Sequence, residues 1–261
     1  MMTAPQGLVL FVAAALAGAI NAVAGGGTPV TFPALLWAIG DAKLANATST
    51  LALWPGSLGG MWGYRRELRR CEPWMLVLLV PSVLGGVAGA RLLLSTAPET
   101  FRAIVPYLIL FATILFTLQG QFGRLLRIQE AAGPPSGWLI LIVAIYQLMI
   151  AAYGGYFGAG IGILMLSALS LLRMRDINQM NGLKTLCAAC INGVAAGLFA
   201  YWQIVDWPKA AVMITGSILG GYSGASVARR LGQRTVRWTV VVIGLAITTV
   251  MLYKQLSRNV E

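Results

Sequence analysis

Few residues in this chain could do chemistry, and they fall into two sets. Gly25-Gly26-Gly27, followed by Thr28, interrupts one apolar stretch, and Gly158-Ala159-Gly160-Ile161-Gly162 interrupts another. Glycine breaks a helix and bares backbone N–H groups, and the helix that follows presents the positive end of its dipole. In lipid, irregular backbone persists only where it is buried in protein or lines a cavity. Two such breaks point to an anion-binding centre near mid-depth, with tight glycine packing as the competing reading. Soon after each break a polar element enters an apolar run: Asn46-Ala-Thr48-Ser49-Thr50 in the first set, Asn181-Gly-Leu-Lys184-Thr185 in the second. These amides and hydroxyls could bond a polar ligand or one another across helices. Lys184 lies within an apolar helix, where a lysine costs ~3 kcal/mol at mid-bilayer. Drawing in an anion would justify that cost, and snorkelling to the inner end is the alternative. Asn192, further along the same helix, joins the set.

Other chemistries lack their residues. The eight acids (Asp41, Glu67, Glu72, Glu99, Glu130, Asp176, Asp206, Glu261) fall in loops or at segment ends, and there is no His. A buried carboxylate relay is therefore unsupported. No nucleophile stands with a base and no metal-ligand spacing occurs, so no catalytic residue, metal or cofactor is expected. Asp41 and Asp176 precede apolar helices, where they should cap or pair with Lys43 or Arg175. Cys187 and Cys190 read C-x-x-C inside an apolar helix, where they serve as small packing residues. The net charge of +11 comes without aromatic-basic interleaving, which argues against nucleic acid.

The elements that must hold these residues repeat. A shift of 135 positions pairs Asp41 with Asp176, Asn46 with Asn181 and Thr50 with Thr185. It also pairs Gly25 with Gly160, Gly27 with Gly162, Pro73 with Pro208 and Ser82 with Ser217. It runs on through Gly85, Gly86, Gly89 and Ala90 against Gly220, Gly221, Gly224 and Ala225, ending at Arg102 against Arg237. Hydrophobic residues make up 58% of the 261 and charged residues 10%, against about 25% charged in a soluble domain, so most of the chain must lie in lipid.

Five apolar segments fall in each half: about 7–24, 28–40, 44–64, 74–95 and 101–119, then 137–157, 160–172, 178–201, 208–228 and 236–253. The second of each half, thirteen residues long, rises only ~20 Å against a ~30 Å hydrocarbon core. If all ten cross with the N-terminus outside, the inner loops hold Arg65, Arg66, Arg69, Arg70, Arg124, Arg127, Arg173, Arg175, Arg229, Arg230, Arg234 and Arg237. Outside then lie Lys43, Lys209, Lys254 and Arg258, with Arg91 and Arg102 near helix ends. Leaving the short segments out of the count puts Arg65–Arg70 and Arg229–Arg237 on opposite sides, against the positive-inside rule. An odd number of crossings per half inverts the second copy. The expected fold is an all-α polytopic membrane protein of two inverted five-segment repeats, with about ten transmembrane segments. The repeats span 1–120 and 137–261, joined by a cytoplasmic linker over 121–136 that contains Pro134 and Pro135. The first apolar run lacks the basic n-region of a signal peptide and is expected to stay as a helix.

The stretch AGGGTPVTFPALL, the NATST element, and NGLKT with the downstream WPKAAVM and GGYSGASVARRL resemble the sulfite exporter TauE/SafE family of membrane proteins. The resemblance covers almost the whole chain. It implies a transporter of sulfite, sulfoacetate or related small anions, usually outward. Taken with the inverted halves and the loop charges, the expected protein works by alternating access in the bacterial inner membrane with a periplasmic N-terminus. An anion channel, or a transporter of another small organic anion, is the alternative. The chain departs from the family pattern at Gly158–Gly162, which no proline follows, and Lys184 adds to that asymmetry. The expected partners are the anionic substrate and membrane lipid, with a homodimer left open.

Overall fold

A computed structural model describes residues 2–24, 26–125, 135–172, 174, 176–231 and 233–258, without the side chains at 22–24, 119–125, 223–231, 233–237, 239–240 and 254–258. Gly25, Arg127, Pro134, Arg173 and Arg175 lie outside the described residues, as do the side chains of Arg124, Arg229, Arg230, Arg234, Arg237, Lys254 and Arg258. No strand occurs among the described residues.

Local chemistry sets the helix boundaries. Helix α1 (Ala4–Ala24) gives way to the glycine break, and α2 (Thr28–Ile39) starts with Pro29 in its first turn, where no N–H is required. Gly40 ends α2 in the left-handed region at φ 82°, its N–H donating to Leu36 O. Helix α3 (Ala42–Gly63) is capped by Asp41, whose carboxylate accepts from Leu44 N at 2.7 Å. Two short turns, α4 (Arg65–Leu68) and α5 (Pro73–Leu76), lead to α6 (Leu79–Ser95). Helix α7 (Pro98–Leu125) runs beyond its expected end at 119 and into the expected linker. In the second half Ser136 caps α8 (Gly137–Tyr156). The next break holds Gly158 at φ 79° and Gly160 at φ 76°, a conformation that only glycine adopts cheaply, before α9 (Ile161–Leu171). Asp176 caps α10 (Ile177–Tyr201) through Asn178 N at 2.8 Å, and α11 (Trp207–Leu231) and α12 (Gln233–Arg258) follow. Both aspartates therefore cap, while Lys43 turns instead to Leu94 O and Thr96 O.

Among the described residues, five helical stretches are long and apolar enough to cross a membrane: Ala4–Asn21, Pro73–Ser95 (α5 with α6), Pro98–Leu118, Gly137–Tyr156 and Ile177–Tyr201. Helix α3 matches them in length, but its polar element and glycines dilute its hydropathy. Large apolar side chains such as Leu8, Val80, Met149 and Val242 face outward, as lipid contact requires. Trp and Tyr side chains lie exposed near helix ends, Trp62 and Trp138 among them, with Tyr201, Trp202 and Trp207 in another group.

Glycine-lined seams hold the bundle together. Helix α1 runs along α11 and α8 along α6, each pair in the same direction. A methyl on Gly85 would meet Leu148 O and Ala151 Cβ at 2.5 Å, one on Gly216 would meet Phe11 O at 2.5 Å, and one on Gly220 would run into Ala15. Backbones approach this closely only where side chains are absent. Helices α3 and α10 cross antiparallel, and at their crossing Trp54 Nε1 donates to Ala189 O at 3.0 Å. Trp54 and Ala189 stand 135 apart, the shift that relates the two halves of the sequence. The same shift converts the contact of Gly86 with Ile191 into that of Gly221 with Gly56. Helix α7 packs on α12, where Gly244 faces Thr113. Thr113 and Thr248 are a further pair at this spacing, and both are buried.

Candidate functional site

The two glycine breaks meet. A methyl on Gly26 would lie 2.9 Å from Gly160 N and 3.0 Å from Phe116 Cζ, so the turn between α1 and α2 rests directly on the turn between α8 and α9. Phe116 is fully buried and covers both turns, its ring 3.7 Å from the position a Gly160 methyl would take. Helices α2 and α9 begin here, and neither has a side-chain cap at its first turn. The N–H groups of Gly160, Ile161 and Gly162 donate to no acceptor among the described residues. Two helix N-termini with open donors, side by side and buried, favour negative charge. Gly27 is buried and its carbonyl accepts from Val30 N and Thr31 N.

Thr28 and Asn192 flank this junction. A methyl on Gly158 would sit 3.9 Å from Thr28 Oγ1 and 4.0 Å from Asn192 Oδ1, so one residue from each half faces the second break. Neither side chain has a hydrogen-bond partner among the described residues, although Thr28 is only 7% exposed. Thr28 is buried and Asn192 half-buried, and two open polar side chains beside a glycine turn form a place for a polar guest.

Lys184 is 1% exposed, and its ammonium donates to Asn181 Oδ1 at 3.0 Å. An ammonium has three N–H donors, so two remain open. Among the described residues the one ion pair joins Lys209 to Asp206 at 2.6 Å, and no carboxylate reaches Lys184. It lies five residues from the α3–α10 crossing at Ala189, or ~7.5 Å along the helix axis. The whole side chain is buried, and it reaches back one turn toward the start of α10. A buried cation with one neutral partner is costly unless a counter-charge arrives.

The other expected site residues are engaged with protein. Thr50 Oγ1 donates to Asn46 O and Thr185 Oγ1 to Asn181 O, each within its own helix. Thr48 Oγ1 donates to Leu44 O and accepts from Asp206 N. Ser49 shares a 2.6 Å bond with Thr31 Oγ1. Asn181 Nδ2 donates to Ile177 O and Asn46 Nδ2 to Tyr156 O, while Asn46 Oδ1 is buried without a partner. Gly25 falls outside the described residues. Sequence reasoning missed Thr31, Phe116, and the bonded pairs Asn21–Ser57 and Gln147–Ser82. One signal was available: Ser57 stands 135 before Asn192. Among the described residues no group of three metal-binding side chains occurs, and Cys187 and Cys190 are free.

The family model described as sulfite exporter TauE/SafE matches residues 10–251. The chain is 27% identical over 249 residues, 95% of its length and 94% of the relative's, to a Haemophilus influenzae protein named "Probable membrane transporter protein". It is 28% identical over 253 residues, 97% of its length and 91% of the relative's, to the "Probable membrane transporter protein YfcA" of Escherichia coli K12. A Sinorhizobium protein named "Probable membrane transporter protein ORF9" is 28% identical over 244 residues, 93% of this chain and 91% of that one. No solved structure matches the chain.

Proposed function

The chain belongs to the sulfite exporter TauE/SafE family, and on that premise we propose a multi-pass inner-membrane secondary transporter of a small sulfur-containing anion such as sulfite or an organosulfonate. The observation that carries the reading is Lys184, a fully buried ammonium with two open donors and no carboxylate beside it among the described residues. The joined N-termini of α2 and α9 supply a second source of positive potential, flanked by Thr28 and Asn192. Asn192 lies eight residues, or ~12 Å, along α10 from Lys184, so the ammonium and the junction form successive stations for one anion. Tetrahedral and pyramidal oxyanions have several acceptor oxygens and suit both the open ammonium donors and the directed N–H and O–H groups at the junction.

Alternating access between two inverted halves, each of five segments, is part of the proposal. Its support is the recurrence of packing under the 135-residue shift: α1 on α11 with α8 on α6, α3 on α11 with α10 on α6, and α3 crossing α10 at Trp54 and Ala189. On this reading α1–α2 and α8–α9 are hairpins that enter from opposite faces and meet at their tips. The loops after α3, α7, α9 and α11 then share the arginine-rich inner face, consistent with Gln179 Nε2 donating to Arg70 O. Outward movement of an anion gains ~2.3 kcal/mol per charge per 100 mV from an inside-negative potential, so export needs no other coupling.

The test is counterflow of labelled sulfite in proteoliposomes, competed with sulfoacetate, thiosulfate, sulfate and acetate. A carrier gives saturable exchange that unlabelled substrate inside the vesicle accelerates. Flux that never saturates and shows no counterflow would make the protein an anion channel.

A further inference from the structure

We propose that the turns joining α3 to α6 form a headgroup site for an anionic phospholipid, with Arg65 and Arg69 holding its phosphate and Arg66, Arg70 and Trp62 around them. The inference does not depend on which anion the protein carries. Four of the six residues from Arg65 to Arg70 are arginines, and all four side chains are exposed. Arg69 N donates to Arg65 O, which stacks these two residues one helical turn apart. Like charges at that spacing repel, and the repulsion persists until an anion is shared between them. The segment holds two carboxylates of its own, and neither relieves it. Glu67 Oε2 is buried without a partner, and Glu72 Oε2 accepts from Trp74 Nε1 at 2.7 Å. Among the described residues the one ion pair is Lys209 with Asp206, so no acid neutralises any of the four arginines.

The patch is held in place by protein. Tyr64 Cβ and Leu68 Cγ each lie 3.4 Å from the position of a Gly182 methyl, so α4 rests on α10 through these two side chains and leaves the arginines outside. Gln179 Nε2 donates to Arg70 O at 3.0 Å and ties the end of the turn to the same helix. Arg65 is positioned twice. Its guanidinium lies 5.2 Å from the centre of the Trp62 ring, and Nη1 donates to Trp62 O at 3.0 Å. A guanidinium has five N–H donors in a planar fork that matches phosphate, so most of this one is left for a ligand. The surroundings favour a lipid over a soluble anion or an acidic protein. Trp62 is 68% exposed at the end of α3, and tryptophan settles at headgroup level. The chain then enters the apolar span Pro73–Ser95, where Val77, Val80 and Leu84 are exposed at i, i+3 and i+7. Arginines that end in a lipid-facing apolar stripe suit a ligand with a phosphate at one end and acyl chains at the other.

The test is native mass spectrometry of the full chain in detergent, titrated with dioctanoyl phosphatidylglycerol or dioctanoyl phosphatidylcholine. Phosphatidylglycerol should bind saturably, and phosphatidylcholine about tenfold or more weaker. Each arginine beside a lipid surface is worth about fivefold in affinity, so Arg65→Gln with Arg69→Gln should weaken phosphatidylglycerol binding about 30-fold. Arg91→Gln with Arg102→Gln removes the same charge from exposed positions near the end of α6 and the start of α7, and should leave binding in place. Arg65→Lys with Arg69→Lys keeps the charge and loses the fork, and should weaken binding about fivefold. That conservative pair is the readout if the glutamine pair fails to fold. Equal losses in the two glutamine pairs, full binding by the lysine pair, or equal binding of the two lipids would overturn the site. Two competitors complete the test. Inorganic phosphate that displaces the lipid at millimolar concentration would make the patch a soluble-anion site. A polyglutamate peptide that binds more tightly than the lipid would make it a protein-docking surface, and either result overturns the lipid assignment.

Discussion

Replacing Lys184 with methionine should improve the fold and damage the transport. The side chain is 1% exposed, and one of its three N–H donors is used, on Asn181 Oδ1 at 3.0 Å. A charge-assisted hydrogen bond is worth about 1.5–3 kcal/mol. An anion that takes even one open donor therefore loses about 10- to 150-fold in affinity when the ammonium is removed. Methionine has a similar length and no charge to desolvate, so the unliganded protein should gain stability, by about 1–4 kcal/mol on the precedent of buried ions replaced by apolar residues. The two effects carry opposite signs, which a purely structural lysine would not produce. The assay pairs half-saturation of sulfite counterflow with thermal unfolding in detergent, both without and with sulfite. The reasoning expects half-saturation to rise at least tenfold, unfolding of the unliganded variant to move to higher temperature, and sulfite to stop stabilising it. An unchanged half-saturation in the folded variant would refute the role of Lys184 in holding the anion.

Other perturbations probe the surroundings. Gly26→Ala places a methyl 2.9 Å from Gly160 N, and should cost about 1–3 kcal/mol of stability and abolish exchange by prising the two turns apart; exchange at the wild-type rate would show that the turns need not touch. Thr28→Val removes one open hydroxyl beside Gly158 and should raise half-saturation about fivefold with little change in maximal rate, the loss of one net hydrogen bond of ~1 kcal/mol. Asp41→Ala and Asp176→Ala each remove a helix cap and should lower stability by ~1 kcal/mol, read by thermal unfolding, while half-saturation stays the same.

The helix starts were legible because their chemistry is local. Asp41 and Asp176 precede apolar runs and cap them, and the glycine breaks fall where the glycine runs are written. The division of the fourth segment into α5 and α6 was not legible, since the turn at 77–78 carries apolar residues that read as one span. The 135-residue shift was visible in sequence, but the contact of Trp54 with Ala189 was not, because sequence equivalence does not say which equivalent residues touch. The fate of Lys184 was undecided for a related reason. A lysine two turns into an apolar helix can snorkel or stay buried, and packing by neighbouring helices makes the choice. Thr50 and Thr185 illustrate another limit. In lipid-embedded helices threonine often satisfies its hydroxyl on the carbonyl four residues back, so a polar residue in an apolar run identifies a donor without showing where it points. Phe116, which covers both turns, gave no signal because an aromatic residue in an apolar span is unremarked in any sequence.

The central claim is that a small oxyanion sits beside Lys184 where the two halves meet. Selenite has the shape and charge of sulfite and carries an anomalous scatterer. Its position in the reconstituted protein, solved with and without the ion, tests that claim most directly. The account expects a selenium peak within hydrogen-bond reach of Lys184 Nζ, displaced by excess sulfite and lost in Lys184→Met. A displaceable peak elsewhere in the bundle, with none at Lys184, would contradict it.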